Sequence, residues 1–358
     1  MLNRERLTAA WKLAAGVCPA KTPKPIYQYV KLQCDNDGNF VLHATDGEMY
    51  IQVGSCEEPT FSRLLPAKRF GQTLAVMAGD QVAFDGDDIT CDGDKWTLQS
   101  PDVADWSISK LEDLGRQYWI DAAELKAALQ VGIICVDESI ARYSLGGCLF
   151  QFTDADTLAI VATDSRRLAV TEVKCECSGD ADTLADPVIP AKAVRQLIAM
   201  LPTEGKIAFR HGTSSGVQFE TDDARIYARL VEGKFPQWQS IIPARSSSSM
   251  TLVAGGMIGA LDAAAVVSTE ESIGVTCTLD DAGITASAKG GDVGESTISR
   301  GGLFGSKLSF QINPDYLTPV LKKLGADREL EIQQDESNGP IVLSHDGGFR
   351  YLLMPMES

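Results

Sequence analysis

Three times along the chain an alternating or apolar run ends near a proline and passes into a pattern with helical period. The stretches are Leu64-Leu65-Pro66-Ala67-Lys68-Arg69-Phe70, Val188-Ile189-Pro190-Ala191-Lys192-Ala193-Val194-Arg195 and Gln311-Ile312-Asn313-Pro314-Asp315-Tyr316-Leu317. Proline presets φ and has no N–H to leave unpaired in a first helical turn, so each stretch reads as a strand end followed by a helix start. In the third copy Asn313 stands where the others have proline and is placed to cap the helix. Pro66, Pro190 and Pro314 are each 124 residues apart. In the second copy Val194, Leu197, Ile198 and Leu201 form one stripe at helical spacing, and Lys192 and Arg195 fall on the opposite side.

A second marker keeps the same beat. Ala44-Thr45-Asp46-Gly47 and Ala162-Thr163-Asp164-Ser165 each end a run of alternating residues, 118 positions apart, and a third, eroded copy is expected around Ile284-Thr285-Ala286. A period of about 120 residues exceeds a solenoid repeat and matches a small domain. The pattern therefore predicts three modules, at 1–116, 117–244 and 245–358, each running helix, strands, helix, strands. That order specifies an α+β fold with two helices on one face of a mainly antiparallel sheet. The expected helices are 2–15, 66–78, 121–134 with Asp121 as cap, 190–201, 257–268 and 314–325. Strands are expected at 26–33, 40–53, 142–152, 158–163, 167–174, 206–210, 216–220, 224–232, 274–279, 283–288, 294–300, 329–334, 340–345 and 348–354. Ser246–Ser249 reads as a linker.

Composition fits such a chain: 358 residues with 44% hydrophobic positions suffice for two or three ordinary cores. No apolar run approaches a membrane span, and Met1-Leu2-Asn3-Arg4-Glu5-Arg6 begins an amphipathic helix without a signal-peptide core, so a cytoplasmic location is expected. Nine irregularly spaced cysteines do not describe a disulfide scaffold.

The net charge of −17 argues at first against nucleic acid. The acids are missing, however, from one set of elements. The three proline-marked helices span 37 residues and hold one acidic residue, Asp315, against six basic ones, Lys68, Arg69, Lys192, Arg195, Lys322 and Lys323. An acidic chain with cations confined to one set of helix faces suits a surface that admits a polyanion along a single path.

Catalytic chemistry finds little support. The three histidines, His43, His211 and His345, are far apart in sequence, so neither a metal triad nor a histidine base is expected. Asp46 and Asp164 recur with the repeat, which turn capping explains. Asp35-Asn36-Asp37-Gly38 lacks the spacing of a calcium loop, and Gly301-Gly302-Leu303-Phe304-Gly305 lacks the Lys-Ser/Thr of a phosphate loop. No catalytic residue, metal or cofactor is assigned.

Four further stretches carry a family likeness: Arg142-Tyr143-Ser144-Leu145-Gly146-Gly147, Val161-Ala162-Thr163-Asp164-Ser165-Arg166-Arg167-Leu168-Ala169-Val170, Leu230-Val231-Glu232-Gly233-Lys234-Phe235-Pro236 and the terminal Tyr351-Leu352-Leu353-Met354-Pro355-Met356. In their order and spacing, and with the threefold repeat, the chain resembles the bacterial β sliding clamp of the replicative DNA polymerase, the polymerase III beta subunit. The resemblance implies three tandem DNA-clamp domains per subunit and a head-to-tail homodimer closed as a six-domain ring around duplex DNA. It also implies helices lining the hole, sequence-independent contact with phosphates, and an outer pocket for linear peptides of polymerase and clamp loader.

Carried over by motif, that pocket comprises Leu145, Thr163, Ser165, Arg166, Arg167 and Leu168, then Pro236, Ile241, Asn313, Tyr316 and Pro340, and finally Leu352, Leu353, Met354, Pro355 and Met356. Arg167 and Asn313 are expected to fix a peptide backbone or an acidic group. Lys21, Lys24, Arg142 and Tyr143 correspond to DNA-touching loops and join Lys68, Arg69, Lys192, Arg195, Lys322 and Lys323 as the DNA-facing set. Trp96 and Leu98 are expected to meet Val266 and Val267 of a second subunit. Ser165-Arg166 replaces a commoner Gly-His pair, Ser272 stands where an aromatic residue often sits, and the chain ends in Glu357-Ser358, which leaves partner preference open. The reading is a non-catalytic processivity clamp. The alternatives are a clamp-like adaptor or inhibitor that does not encircle DNA, and an acidic hydrolase built on Asp164.

Overall fold

The computed structural model describes residues 1–106, 116–139, 145–178, 186–211, 215–243, 249–301, 304–305, 307–336 and 338–356. Six α-helices occur among them: α1 (Arg4–Ala15), α2 (Ala67–Val76), α3 (Ala122–Gly132), α4 (Ala191–Met200), α5 (Ala254–Ala264) and α6 (Pro314–Leu324). The remaining structure is mainly antiparallel sheet, so the α+β expectation holds. The chain divides into two compact units, Met1–Ala123 with Cys175–Leu230, and Glu124–Lys174 with Val231–Ser358.

In the first unit, Asn3 caps α1 by accepting from the Arg6 N–H, and Leu7, Trp11 and Ala14 bury the face that the periodicity marks. Trp11 meets Phe70 of α2 edge to face, with ring centroids 4.6 Å apart, and donates its indole N–H to the Ala67 carbonyl at 3.0 Å. Pro66 and Pro190 occupy the cap position in extended conformation, one residue before the first helical turn, and close the strands Phe61–Pro66 and Val188–Pro190. Val194 and Leu197 of α4 are buried, Ile198 is half-buried, and Lys192 and Arg195 are exposed. The long antiparallel sheet runs through Phe61–Pro66, Tyr29–Cys34, Phe40–Thr45 and Met49–Gly54, and continues into Ala224–Arg229, Gly216–Glu220, Lys206–His211 and Arg116–Asp121. Its middle seam pairs Ile51 with Ile226.

The second unit repeats this join. The strand beginning at Arg167 pairs with the terminal strand Phe349–Leu353, with Ala169 opposite Tyr351, and the sheet proceeds through Ile341–His345, Glu329–Gln333 and Ser249–Val253. A separate sheet places Glu295–Arg300 at one edge, beside Gly283–Lys289 and Val275–Asp280. Met257 and Leu261 of α5 and Leu317 and Leu321 of α6 are buried.

Several expectations shift. Residues 25–28 form a short 3-10 turn instead of a strand start, because Pro25 withholds an N–H from the ladder. The expected strand 40–53 is a hairpin, broken at the Asp46 turn. The third marker belongs at Lys289-Gly290, where a Gly290–Gly294 turn ends the strand, and not at Ile284–Ala286. Arg142 and Tyr143 lie outside the described residues, as do most of the Ser246–Ser249 linker and Glu357-Ser358.

Candidate functional site

The two Thr-Asp turns are built bond for bond alike. Thr45 Oγ1 donates to the Met49 carbonyl at 2.8 Å and accepts from the Gly47 N–H, while Asp46 Oδ1 accepts from the Glu48 and Met49 N–H groups at 2.9 and 2.7 Å. In the second turn Thr163 Oγ1 donates to the Arg167 carbonyl at 2.7 Å and accepts from the Ser165 N–H, and Asp164 Oδ1 accepts from the N–H groups of Arg166 and Arg167, both at 3.0 Å. The third position needs positive φ, which Gly47 adopts at 97° and Ser165 at 71°. Serine pays for that conformation with local strain that glycine avoids.

Behind the second turn Arg167 is spent on its own chain. Its Nε donates to Asp164 Oδ2 at 2.8 Å, Nη2 to the Ile134 carbonyl at 2.7 Å and Nη1 to the Tyr316 carbonyl at 3.2 Å, and the guanidinium lies 4.7 Å from the Tyr316 ring centre. Tyr351 also donates its hydroxyl to the Tyr316 carbonyl. Burial pushes the Tyr351 phenol well above its usual value and the Cys135 thiol up to about 12, so both stay protonated next to this cation. Asn313 Oδ1 accepts from the Asp315 N–H at 2.9 Å and caps α6. Within the chain these two groups also build the wall: Arg167 pins the turn to α6, and Asn313 fixes where α6 begins.

The remaining expected pocket residues belong to the same compact unit. Leu145, Thr163, Leu168 and Leu352 are buried, Tyr316, Pro340, Pro355 and Met356 are half-buried, and Ser165, Arg166, Pro236, Ile241 and Met354 are exposed. The terminal segment is tied down at both ends, since the Met354 N–H donates to the Arg166 carbonyl at 2.9 Å and the Met356 N–H to the Gln311 carbonyl at 2.8 Å. Register sorts the side chains. Arg167 opposes Leu353 and Leu168 opposes Leu352, so Leu353 shares the face of Arg167 and is fully buried, whereas Arg166, Leu168, Leu352 and Met354 share the other. That second face presents buried leucines flanked by an exposed methionine and an exposed arginine. Trp238, buried, donates to Gln151 Oε1 at 2.8 Å and holds the short 238–241 turn that carries Ile241; sequence reasoning passed over it.

The helices carry a second set of candidates. Across all six, ten basic residues stand against four acidic ones: Arg4, Arg6, Lys12, Lys68, Arg69, Lys126, Lys192, Arg195, Lys322 and Lys323 against Glu5, Glu124, Asp262 and Asp315. Lys21, Lys24, Lys68, Arg69, Arg195 and Lys323 are exposed. Lys24 lies over the Tyr27 ring at 5.4 Å. Lys322 pairs with Asp262 at 2.9 Å, and Lys192 binds the Asp46 carboxylate and, at 3.1 Å, the Val17 carbonyl.

Two sheet edges complete the candidates. Among the described residues the strand Asp94–Thr97 pairs only with Asp88–Cys91, and Glu295–Arg300 only with Gly283–Lys289. Trp96 and Leu98 are half-buried at the first edge, while Val266 is 78% and Val293 64% exposed in the unit carrying the second. Among the described residues no group of three or more His, Cys, Asp or Glu side chains is arranged to hold a metal ion, and no helix is long and apolar enough to cross a membrane.

Residues 119–237 match the family model described as the DNA polymerase III beta subunit, central domain. Along its whole length the chain is 25% identical to the beta sliding clamp of Chlamydia muridarum, covering 100% of this chain and 98% of that protein. It is likewise 25% identical to the beta sliding clamp of Synechocystis, covering 98% and 97%. Among solved structures, the sliding clamp of Bartonella birtlesii bound to griselimycin superposes with a TM-score of 0.89 at 21% identity, over 100% of this chain and 99% of that one. The DNA polymerase III beta subunit of Thermotoga maritima gives 0.86 at 20% identity, over 100% and 98%. The middle of the chain thus matches the central domain of the DNA polymerase III beta subunit, and the chain as a whole is similar in sequence and in fold to beta sliding clamps.

Proposed function

We propose that the chain is a DNA sliding clamp: a non-catalytic, cytoplasmic processivity factor that encircles duplex DNA and tethers polymerase and clamp loader through linear peptides. The observation that carries this reading is the excess of ten basic over four acidic residues on six helices of a chain with net charge −17. Cations facing phosphates without reading bases bind every sequence alike and permit sliding, while acid elsewhere keeps the duplex off other surfaces.

Ring closure follows from the repeat. The modules are taken as 1–116, 117–244 and 245–358. In the first, the strand after the Thr-Asp turn, Met49–Gly54, pairs with Ala224–Arg229 near the end of the second; in the second, the strand from Arg167 pairs with Phe349–Leu353 at the end of the third. The equivalent strand of the third module, Glu295–Arg300, and the strand Asp94–Thr97 near the end of the first are both sheet edges among the described residues. Pairing those two edges between copies makes a heterologous contact that closes as a dimer, with Trp96 and Leu98 of one copy near Val266 and Val267 of the other. The peptide pocket is taken as the face of Leu168, Leu352 and Met354, with Pro236, Ile241 and Pro340 of the same unit as its further lining, an apolar and adaptable slot for an extended segment.

Retention on nicked circular DNA, followed by linearisation, tests the reading. A topological clamp stays on the circle and is lost from the linear form, whereas an adaptor that does not encircle DNA behaves alike on both.

A further inference from the structure

We infer that Arg166 makes this pocket selective for peptides carrying a carboxylate beside their apolar anchor. The inference rests on the pocket reading above and adds the ligand chemistry that one side chain selects.

The two adjacent arginines differ in what they have left to offer. Arg167 has Asp164, Ile134, Tyr316 and the Tyr316 ring as partners within its own chain. Arg166 is held only by its backbone: its N–H donates to Asp164 Oδ1 at 3.0 Å and its carbonyl accepts from the Met354 N–H at 2.9 Å. Its guanidinium is exposed and has no hydrogen bond or ion pair among the described residues. The one carboxylate within the turn, Asp164, is already committed to Arg167 and to the turn's own amides.

Register fixes where that cation stands. Arg167 opposes Leu353 and the Met354 N–H returns to Arg166, so Arg166 and Met354 are cross-strand neighbours on the face of Leu168 and Leu352. Side chains directly opposite in an antiparallel pair have Cβ atoms about 4.5–5.5 Å apart. The positive φ at Ser165 and the backbone bonds on either side of Arg166 leave this backbone little freedom, so the side chain is anchored at one lip of an apolar strip and its guanidinium is free to meet a ligand there. An extended segment that lays an apolar side chain on Leu168 and Leu352 brings its neighbouring side chain to that lip. In a chain of net charge −17, an exposed unpaired guanidinium beside the apolar face favours a carboxylate there over an amide or a cation.

The test uses an array of fluorescein-labelled, leucine-containing nonapeptides, identical except that each position in turn is Glu or Gln, with anisotropy read on the full-length chain. At low salt one register position should favour Glu over Gln by about two- to fivefold, the range expected of an exposed ion pair, and 0.5 M NaCl should erase the difference. Arg166→Gln should abolish the difference between the Glu peptide and its Gln partner, and Arg166→Glu should reverse the preference. A Glu preference that survives Arg166→Gln, or equal binding of the two peptides by the unsubstituted chain, overturns the assignment. Binding of no peptide in the array overturns the pocket reading itself, and the assignment with it.

Discussion

Lys192 of α4 reaches back to the first Thr-Asp turn and sets its ammonium on the Asp46 carboxylate, with the Val17 carbonyl 3.1 Å away. The Asp46 side chain is only 13% exposed, so the lysine neutralises a charge that water reaches poorly. On the same helix Gln196 donates to the Leu13 carbonyl at 2.6 Å, and together the two side chains clip α4 to the end of α1. A cation that looks, from the sequence, like one more phosphate contact is engaged in holding the first unit together.

This division of labour predicts different outcomes for the helix cations. Lys192→Met should cost about 1 kcal/mol of stability, because it leaves the Asp46 carboxylate partly desolvated without its partner. It should change the salt dependence of DNA retention little. Lys68→Ala, Arg69→Ala and Lys323→Ala should leave the melting temperature nearly unchanged, and each should lower the slope of log K against log salt by up to about one unit. Thermal melts and DNA binding at 50–200 mM salt separate the two classes.

Acidification should weaken the first unit through His43. The imidazole Nδ1 lies 2.7 Å from the Tyr50 hydroxyl, and burial, helped by Lys31, pushes its pKa down to about 4 from 6.5. A base with a lowered folded-state value is neutral in the fold and takes up its proton more readily when unfolded. Its contribution is therefore fully present above pH 6.5 and is lost as the pH falls from there through 4. The loss should amount to about 1–3 kcal/mol per chain. Urea melts of wild type and His43→Gln between pH 7 and 4 should show a shallower pH slope in the variant.

The elements most legible in the sequence were those with a local cause. Proline before a helix-period stripe located α2, α4 and α6 to within two residues at either end, and a repeated Thr-Asp pair marked two turns whose hydrogen bonds prove identical in kind. What escaped depends on distant partners. The strands Arg116–Asp121 and Ser249–Val253 are short, and their ladders are completed by residues 206–211 and 329–333. Arg167 could be named as a site residue by motif, yet its role could not, because Ile134 and Tyr316 lie 33 and 149 positions away. Register likewise puts Leu352 and Leu353 on opposite faces, a distinction invisible until the partner strand is known.

The free edge strand invites a test in which the interface is perturbed apart from the core. Gly290 packs so closely on the 265–267 turn that a Cβ there would lie 1.7 Å from the Val267 carbonyl oxygen. Gly290→Ala must therefore displace the turn that carries Val266 and Val267. Val266 itself is 78% exposed, so Val266→Asp leaves the fold of a single chain intact. Sedimentation velocity at micromolar concentration should give a dimer for wild type and mainly monomer for both variants. Val266→Asp should keep the wild-type melting profile of the monomer, and Gly290→Ala should lose stability as well. A wild-type chain that sediments as a monomer would favour the adaptor reading.

Charged residues at Met354 and Leu353 should behave differently, although the two are adjacent. Met354 is 44% exposed on the face of Leu168 and Leu352, so an aspartate there remains hydrated and costs the fold little. It should nevertheless reduce affinity for an apolar peptide about tenfold or more by placing a charge against the buried anchor. Leu353 is fully buried on the Arg167 face, where a carboxylate would lie without solvent in a packed layer. Leu353→Asp should therefore lower stability by several kcal/mol and melt the terminal strand, with peptide capture lost as a consequence of unfolding. Hydrogen exchange along 349–353 distinguishes the two causes, since protection should persist in Met354→Asp and vanish in Leu353→Asp. Full peptide affinity in Met354→Asp would remove that residue from the pocket.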